Sequence, residues 1–373
     1  MIIGNDDSNL AAMLPFGGQT VLEFQVRVAH SAGANHIVVM VSKLPADMVA
    51  AFDRLRASGI NVDVARDPRD AADRIHPDER LLVMTDGVVV DRYTLAELVR
   101  TSQSSLFTVL DQPANAAFER IDSTERWCGM AMIDGKLLRE TVAMLGDWTL
   151  APTLLRAALQ AGATRIRLSE YAVIGRATDI PTARALAGQM AAGVQAQAEG
   201  PVVSYVARPI AARVVPVLLN HSVPLDLIAV FPLILSFLSL LFLAFGWVVS
   251  GYLVFLLAMV PAVVGNIIAT ISARQVLALS ISDRTKHLVF CIGLMVLGWH
   301  EYRQGQSWGS LIAALWSVSL LLQRRKPSHS LLHIELALVV MILAVLVGLP
   351  LWGMGLIILA FVASEEVSAR ASN

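Results

Sequence analysis

Residues 14–25 read LPFGGQTVLEFQ and lead into a helix that ends at residues 32–34 (AGA). An apolar strand, HIVVMV, follows at residues 36–41. Further on, the strand at residues 81–84 (LLVM) runs directly into Thr-Asp-Gly at residues 85–87. Helical segments alternate with these β-branched, apolar strands. The alternation predicts an α/β fold with a parallel, doubly wound sheet.

Charge is distributed unevenly along the 373 residues. Charged side chains occur throughout residues 1–213, whereas further on they are confined to short clusters between long apolar runs. This division predicts a cytosolic α/β domain over residues 1–200, a juxtamembrane segment over residues 201–224 and a membrane domain over residues 225–373. The net charge of −1 offers no basic surface, so we set aside a nucleic-acid partner.

Six apolar segments follow residue 224, namely 225–245, 249–271, 287–300, 308–323, 332–349 and 351–364. Several approach the roughly 20 residues that cross a hydrocarbon core, whereas the third, fourth and sixth are short. An all-α membrane domain of about six helices is predicted, with five helices as the alternative. Lysine and arginine are concentrated in alternate loops, and the N-terminus lacks the features of a signal peptide. We therefore expect a multi-pass protein of a bacterial-type inner membrane with both termini in the cytosol.

The segment before the first span carries two arginines around an apolar run. Residues 208–219 read RPIAARVVPVLL, which predicts a helix lying in the headgroup layer of the membrane. Arg208 and Arg213 would then contact the phosphates of membrane lipids. A simple linker is the alternative interpretation.

Polar residues extend from the end of the second apolar segment into the third. Residues 266–274 read NIIATISAR, and residues 279–287 read LSISDRTKH. Together with the basic amphipathic segment and the six spans, this order resembles the CDP-alcohol phosphotransferase family. That family carries D-x-x-D-G-x-x-A-R followed by G-x-x-x-D-x-x-x-D at these helix ends. Its aspartates hold a divalent metal against the diphosphate of a CDP-alcohol, because hard cations require oxygen ligands.

The resemblance implies roles for five residues of this chain. Asp283 matches a metal-binding, catalytic aspartate, and His287 stands where the last aspartate of the motif would be. Asn266 and Arg274 would contact the nucleotide, and Lys286 a phosphate or headgroup. Since one carboxylate remains of four, a two-metal site of the family's type cannot be assembled. The resemblance also implies a homodimer through the membrane domain.

The N-terminal half shows a second resemblance, to the sugar-phosphate nucleotidyltransferase fold, in which a strand, a glycine-rich phosphate loop and a helix open the chain. Asp86 matches the metal-binding aspartate of that fold by position, and Gly4 lies where the phosphate loop G-x-G-T-R would be. The family's chemistry implies Mg²⁺ or Mn²⁺. Here residues 4–9 read GNDDSN, with two acidic residues and no arginine. Asp-Gly after a strand is also an ordinary turn, so Asp86 is either a turn residue or a metal ligand.

Two later segments carry further alternatives. Residues 118–122 (FERID) and 127–131 (WCGMA) form either a strand pair that closes over a sugar-like ligand or a hairpin with a buried tryptophan. Residues 147–149 (DWT) precede a helical run at residues 154–160 and are interpreted as the start of a helix with its cap.

The two resemblances together suggest a class of function. Their fusion is similar to bifunctional enzymes that make a CDP-polyol from CTP and then transfer the polyol phosphate to an acceptor alcohol at the membrane. Because both sites lack groups that neutralise phosphate charge, the leading hypothesis is a catalytically inactive scaffold that binds a nucleotide, a lipid or a partner. The alternative is an active CDP-alcohol phosphotransferase-type enzyme of phospholipid or polyol phosphodiester synthesis. A transporter is set aside because no span carries an interior charge.

Overall fold

A computed structural model describes residues 1–3, 11–197, 209–211, 213–215, 217–218, 225–274, 277–303, 314–316 and 334–371. The chain forms two compact units. The first comprises Met1–Val194 together with Thr270–Arg274, and the second comprises Gln195–Ala269 and Gln275–Asn373.

The first unit alternates strands and helices. Its strands are β1 Ile2–Ile3, β2 Pro15–Phe16, β3 Gln19–Thr20, β4 Val38–Met40, β5 Asp63–Ala65, β6 Arg80–Thr85, β7 Val88–Val90, β8 Ser105–Leu110, β9 Glu119–Arg120, β10 Glu125–Asp134, β11 Thr164–Arg167 and β12 Ile174–Arg176. Its helices are α1 Val21–Ser31, α2 Ala46–Ala57, α3 Pro68–Asp73, α4 Arg92–Leu98, α5 Gly135–Ala143, α6 Leu150–Gln160 and α7 Ile180–Gln197.

Eight strands form the main sheet in the order β11-β8-β10-β6-β1-β4-β5, with β9 paired to β10. Strands β5, β4, β1 and β6 are mutually parallel, as the sequence predicts. The expectation of a wholly parallel sheet is not met, because β10 runs antiparallel to both β6 and β8. The connection gives the reason: residues 111–124, between β8 and β10, contain β9 and one short 3-10 turn but no α-helix, whereas parallel neighbours are usually joined by a crossover helix.

Helix α1 ends where its sequence predicts, and a capping box fixes its start. The side chain of Thr20 accepts a hydrogen bond from the backbone N–H of Glu23, whose carboxylate in turn accepts one from the N–H of Thr20. This reciprocal capping box satisfies N–H groups that have no partner inside the helix. The helix stops at Ser31, and Gly33 takes the left-handed conformation, at φ +102°, that ends many helices.

Most of the side chains of α1 are buried, including three polar ones. Glu23 exposes 2% of its surface, Gln25 none and Arg27 5%. Glu23 is paired with Arg54 of α2, and Arg27 donates a hydrogen bond to Ser58 Oγ at 3.0 Å. Buried polar groups are costly unless they are bonded, so this helix is fixed by specific partners as well as by apolar packing.

The second unit consists of long apolar helices in its described part: α8 Leu225–Ala244, α9 Val248–Ile271, α10 Leu277–Arg303, α11 Ile334–Leu346 and α12 Pro350–Ala371. Of the described helices, α8 and α9 are long and apolar enough to cross a membrane. Their bounds lie within one residue of the first two predicted segments.

The other predicted segments have different outcomes. The third lies inside α10, and most of the fourth falls outside the described residues. The fifth and sixth overlap two shorter apolar stretches, Leu336–Leu346 and Pro350–Ala360. The number of six spans therefore stays a prediction.

Candidate functional site

A cavity of about 580 Å³ opens in the first unit where the carboxyl ends of β4, β5 and β6 meet. Ser42 follows β4, Arg66 follows β5, and Asp86 follows β6. In open α/β sheets, ligands bind in the crevice outside the carboxyl ends of parallel strands. We refer to this cavity as the cleft.

The opposite wall of the cleft comes from residues that are distant in sequence. Glu119 of β9 and Trp127 of β10 line it, together with residues 145–152 at the start of α6. Thr149 is the N-cap residue of α6, but its side chain makes no capping hydrogen bond. The first backbone N–H groups of α6 lie at the wall of the cleft, and the side chain of Thr149 does not cap them.

Asp86 lies in the turn between β6 and β7 and exposes 3% of its surface. Gly87 supplies the left-handed backbone of this turn, at φ +75°. Arg176 of β12 donates a hydrogen bond from Nε to the carbonyl oxygen of Asp86 at 3.2 Å. Asp86 is thus a turn residue, as one of the two interpretations held, and it also lines the cleft.

Among the described residues, acidic side chains outnumber basic ones on the walls of the cleft. These residues contribute four carboxylates and two guanidinium groups, from Asp67, Asp86, Glu119, Asp147, Arg66 and Arg176. A bare polyphosphate would be repelled by this balance. An anionic ligand would therefore gain from an accompanying cation.

The described residues contain no group of three or more His, Cys, Asp or Glu side chains placed to hold a metal ion. Magnesium usually binds through one or two carboxylates and completes its shell with water and the phosphates of the substrate. Asp86 is the most buried of the four acidic residues in the cleft, and its carboxylate alone would suit a metal that arrives with a nucleotide. The described residues do not fit a multi-carboxylate metal centre.

The hairpin interpretation of residues 118–131 is confirmed. Strand β9 pairs with β10, and Trp127 exposes only 3% of its surface while its indole Nε1 donates to the carbonyl oxygen of Met130 at 2.8 Å. The pairing register of β10 shifts between Trp127 and Ala131, which marks a β-bulge with Gly129 at φ +79°. Trp127 belongs to the buried core and also lines the cleft.

An ion-pair cluster holds the base of this hairpin. Arg126 Nε and Arg120 Nη2 each lie 2.6 Å from a carboxylate oxygen of Asp111. The hydrogen bond from Arg126, reinforced by the charge of Arg120, holds the pKa of Asp111 below its ordinary value. This cluster fixes β9 and β10 behind Glu119 and Trp127.

The predicted start of a helix after residues 147–149 is confirmed, although the helix begins earlier than the expected run, at Leu150. The predicted cap is not, because the side chain of Thr149 makes no capping hydrogen bond. Trp148 precedes it and exposes 67% of its surface at the edge of the cleft. The guanidinium carbon of Arg156 lies 5.9 Å from the centre of the Trp148 ring, which is the distance of a cation–π contact.

Five other predicted site residues lie on or next to α9 and α10. Asn266 lies near the end of α9, and Arg274 follows that helix. Asp283, Lys286 and His287 lie in the first half of α10. Their roles stay predictions.

The remaining predicted residues lie in or next to parts that the structure leaves undescribed. Gly4 and Arg208 are outside the described residues. Arg213 is in a helical stretch that includes residues 209–211 and 213–215, and its Nη1 donates to the carbonyl oxygen of Pro209 at 3.1 Å.

Sequence reasoning missed several residues of the cleft. Arg66 and Asp67 directly follow β5, and recognition of that strand would have placed them at the same edge as Asp86. Arg176 had no such signal, because it reaches the cleft through the pairing of β12 with β7 across more than 80 positions of sequence. Gln25, which donates hydrogen bonds to the turn of Asp86 but does not line the cleft, likewise had no local signal.

No family model and no curated protein sequence matches this chain. Two solved structures are similar to it over its N-terminal half. One is a nucleoside-diphosphate-sugar pyrophosphorylase from Vibrio cholerae RC9, with 13% identity, a TM-score of 0.37 and coverage of 49% of this chain and 98% of that chain. The other is a CTP:phosphocholine cytidylyltransferase from Streptococcus pneumoniae, with 12% identity, a TM-score of 0.37 and coverage of 50% of this chain and 96% of that chain.

Proposed function

We propose that the first unit is a nucleotide-binding domain, that the apolar helices attach it to a membrane, and that the protein acts as a scaffold without catalytic turnover. The observation that carries this proposal is the cleft at the carboxyl ends of β4, β5 and β6, with Asp86 at its wall. Its volume of about 580 Å³ is within the range of small-molecule sites.

The charges of the cleft support a nucleotide that is bound together with a divalent cation. Arg66 and Arg176 can donate to phosphate oxygens, but they face four carboxylates in the same cavity. Mg²⁺ or Mn²⁺ would offset the phosphate charge when bound. Asp86 is the residue that we expect to meet that metal, since its carboxylate is the innermost of the four.

Attachment to a membrane is supported by the outward side chains of α8. Leu227, Phe231, Ile234 and Phe237 each expose more than half of their surface. A helix at the surface of a water-soluble protein presents polar side chains on its outer face. An apolar outer face on a helix of 20 residues instead suits a hydrocarbon environment.

The absence of turnover is proposed from residue types. Residues 4–9 (GNDDSN) lack the glycines and the arginine of a phosphate loop, and residues 266–287 retain one of four family aspartates. Catalysis of phosphoryl or nucleotidyl transfer depends on groups that offset developing negative charge. Binding a nucleotide needs fewer charge-neutralising groups than catalysis, because the negative charge on the leaving group develops only in the transition state.

The test is titration calorimetry of CTP and ATP into the purified full chain in detergent, with magnesium and with EDTA. We expect binding with magnesium and a Kd about tenfold weaker in EDTA, the size of one charge-assisted contact. Asp86→Asn should abolish the difference between the two buffers. Asp78→Asn is the matched control, because Asp78 loses the same charge, is 92% exposed and lies outside the cleft.

Two outcomes would overturn the proposal. If neither nucleotide binds, or if Asp86→Asn binds and responds to magnesium as the parent does, the cleft is not the nucleotide site.

The scaffold part has its own test in the same preparation. Release of pyrophosphate from CTP, or of CMP from a CDP-alcohol, that is lost in Asp86→Asn or Asp283→Ala would establish the enzymatic alternative instead.

A further inference from the structure

The side-chain amide of Gln25 bridges the two ends of the turn that carries Asp86. Its Nε2 donates to the carbonyl oxygens of Thr85 and Val88, both at 2.9 Å. Asp86 and Gly87 are the two residues between these carbonyls. One amide group on α1 therefore holds both the entrance and the exit of this turn.

The turn is held from a second side by the strand β12. The backbone N–H of Ala177 donates to the carbonyl oxygen of Gly87 at 2.8 Å, and Arg176 donates to that of Asp86. A Cβ atom added at Gly87 would lie 2.6 Å from the carbonyl oxygen of Ala177. The turn thus has no room to move toward β12.

The bulge of β10 closes a third side. A Cβ atom at Gly129 would overlap Thr85 Oγ1 and lie 2.7 Å from Val88 Cγ2. Because Gly129 has no side chain, β10 can approach the turn this closely. Three separate elements therefore converge on the four residues from Thr85 to Val88.

The cost of burying Gln25 indicates that stability alone does not account for it. Gln25 is fully buried, and its Oε1 has no hydrogen-bond partner among the described residues. A buried acceptor without a partner is destabilising, and this cost offsets much of the stability that the two hydrogen bonds from Nε2 contribute. Local costs of this kind are concentrated at functional sites, where a precise geometry is needed.

We infer that Gln25 is a positioning residue that fixes the Asp86 carboxylate for ligand binding in the cleft. This inference rests on the proposed function, because it names the residue behind the same site. Gln25 does not line the cleft, so its effect on a ligand must pass through the turn. Because polar contacts weaken steeply when their distances and angles change, a displaced Asp86 carboxylate would bind a ligand less tightly.

The test compares Gln25→Met with Thr141→Val in the full chain. Gln25→Met keeps the length of the side chain and removes both donors. Thr141 is 1% exposed, and its Oγ1 donates to the carbonyl oxygen of Leu137 at 2.7 Å in α5, away from the turn. Both substitutions remove buried hydrogen bonds to backbone carbonyls, so both lower stability, and only the first affects the turn.

The first readout is amide hydrogen exchange of residues 85–88 without ligand. Gln25→Met should speed exchange there by about tenfold or more beyond the change in global protection, whereas Thr141→Val should change these amides only as much as the rest of the sheet. Equal protection in the two variants would overturn the inference whether or not the chain binds nucleotides.

The second readout is the Kd of CTP with magnesium, measured well below the unfolding transition. We expect Gln25→Met to weaken binding about tenfold and Thr141→Val less than twofold. If Asp86→Asn binds weakly while Gln25→Met binds as the parent does, the inference is wrong and the proposed function stands. If the parent binds no nucleotide, both are wrong. Should Gln25→Met fail to fold, Gln25→Asn, which keeps the amide but cannot span both carbonyls, is expected to give a smaller change in the same direction.

Discussion

Arg54 of α2 forms a two-pronged ion pair with Glu23 of α1, with Nε 2.8 Å from Oε1 and Nη2 3.0 Å from Oε2. Glu23 is almost fully buried, and the same carboxylate closes the capping box with Thr20. Burial raises the pKa of Glu23, but the hydrogen bonds from Arg54 and from the backbone of Thr20 outweigh burial and leave the pKa below its ordinary value. One carboxylate thus joins the cap of α1 to the neighbouring helix.

Arg54→Ala should lower the free energy of unfolding by about 2 kcal/mol, because it leaves a buried carboxylate without its charged partner. The measurement is the urea midpoint of the full chain in detergent. Arg56→Ala is the control, since Arg56 pairs with an exposed carboxylate, that of Asp53, and should cost less than about 0.5 kcal/mol. Equal effects of the two substitutions would contradict the role of Glu23.

Gly129→Ala should destabilise the protein more than Gly59→Ala. Both glycines have φ +79°, so the backbone strain of an alanine should lower the free energy of unfolding by about 1 kcal/mol at either position. At Gly59 a Cβ would meet nothing within 4 Å, whereas at Gly129 it would collide with Thr85 and Val88. Overpacking adds about 2 kcal/mol, which gives about 3 kcal/mol for Gly129→Ala.

The two thermal midpoints test this prediction, and their difference isolates the steric contribution from the backbone contribution. Similar midpoints would show that β10 can move away from the turn without cost. That result would also weaken the evidence for a fixed Asp86.

Acid should destabilise the hairpin through Asp111 and Asp122. The pKa of Asp111 is lowered first by Arg126, and that of Asp122 by hydrogen bonds from Thr124 and Arg165. A carboxyl whose pKa is lower in the folded state adds stability above its unfolded pKa of about 4, and this stability is lost as the pH falls toward the folded value. The urea midpoint should therefore decline below about pH 5.

Asp111→Asn provides the check on this pH dependence. The variant should be less stable than the parent at pH 6, and this difference should shrink as the pH falls below about 4, because the stability that the lowered pKa of Asp111 contributes is lost there. A difference that stays constant between pH 6 and pH 3 would rule out the pairing.

The thiol of Cys128 should be unreactive in the folded chain. Cys128 is fully buried in the bulge of β10, and burial raises the pKa of its thiol to about 12. Since the thiolate is the reactive form, a rise of this size lowers the reaction rate near neutral pH by about a thousandfold relative to an ordinary thiol. Labelling with a disulfide reagent in a Cys291→Ala chain, natively and in urea, measures this ratio.

A cysteine at an exposed position is the positive control for that experiment. Ser123→Cys lies on the surface of the turn between β9 and β10 and should react at similar rates natively and in urea. Fast native labelling of Cys128 would mean that β10 opens at the bulge.

Local sequence patterns identified much of the fold. The helix that ends at residues 32–34 and the strands before residue 41 and residue 85 all depend on neighbours within a few positions. Such signals are physical properties of short segments, because caps and alternation are satisfied within one element. The antiparallel insertion of β10 was missed, since strand direction depends on the connection rather than on the strand.

The candidate site was predicted only in part for the same reason. Asp86 was visible because an aspartate directly after a buried strand has a local signature. Gln25, Arg176 and Trp148 reach the Asp86 turn or the cleft wall from α1, β12 and the start of α6. Their roles depend on which elements become neighbours in the fold, and the residues around each position do not indicate this.

The sequence by itself determined the division into an α/β half and an apolar helical half, because the distribution of charge and the period of apolar residues are properties of the sequence. It also determined Asp86 as the residue at the end of β6. Only the tertiary structure decided that Gln25, Gly129 and Arg176 hold its turn and that acidic side chains outnumber basic ones among the described residues of the cleft. The physical reason is that hydrogen bonds, close backbone approach and the sum of charges in a cavity are properties of distances in space, and folding sets those distances between residues that are far apart in the chain.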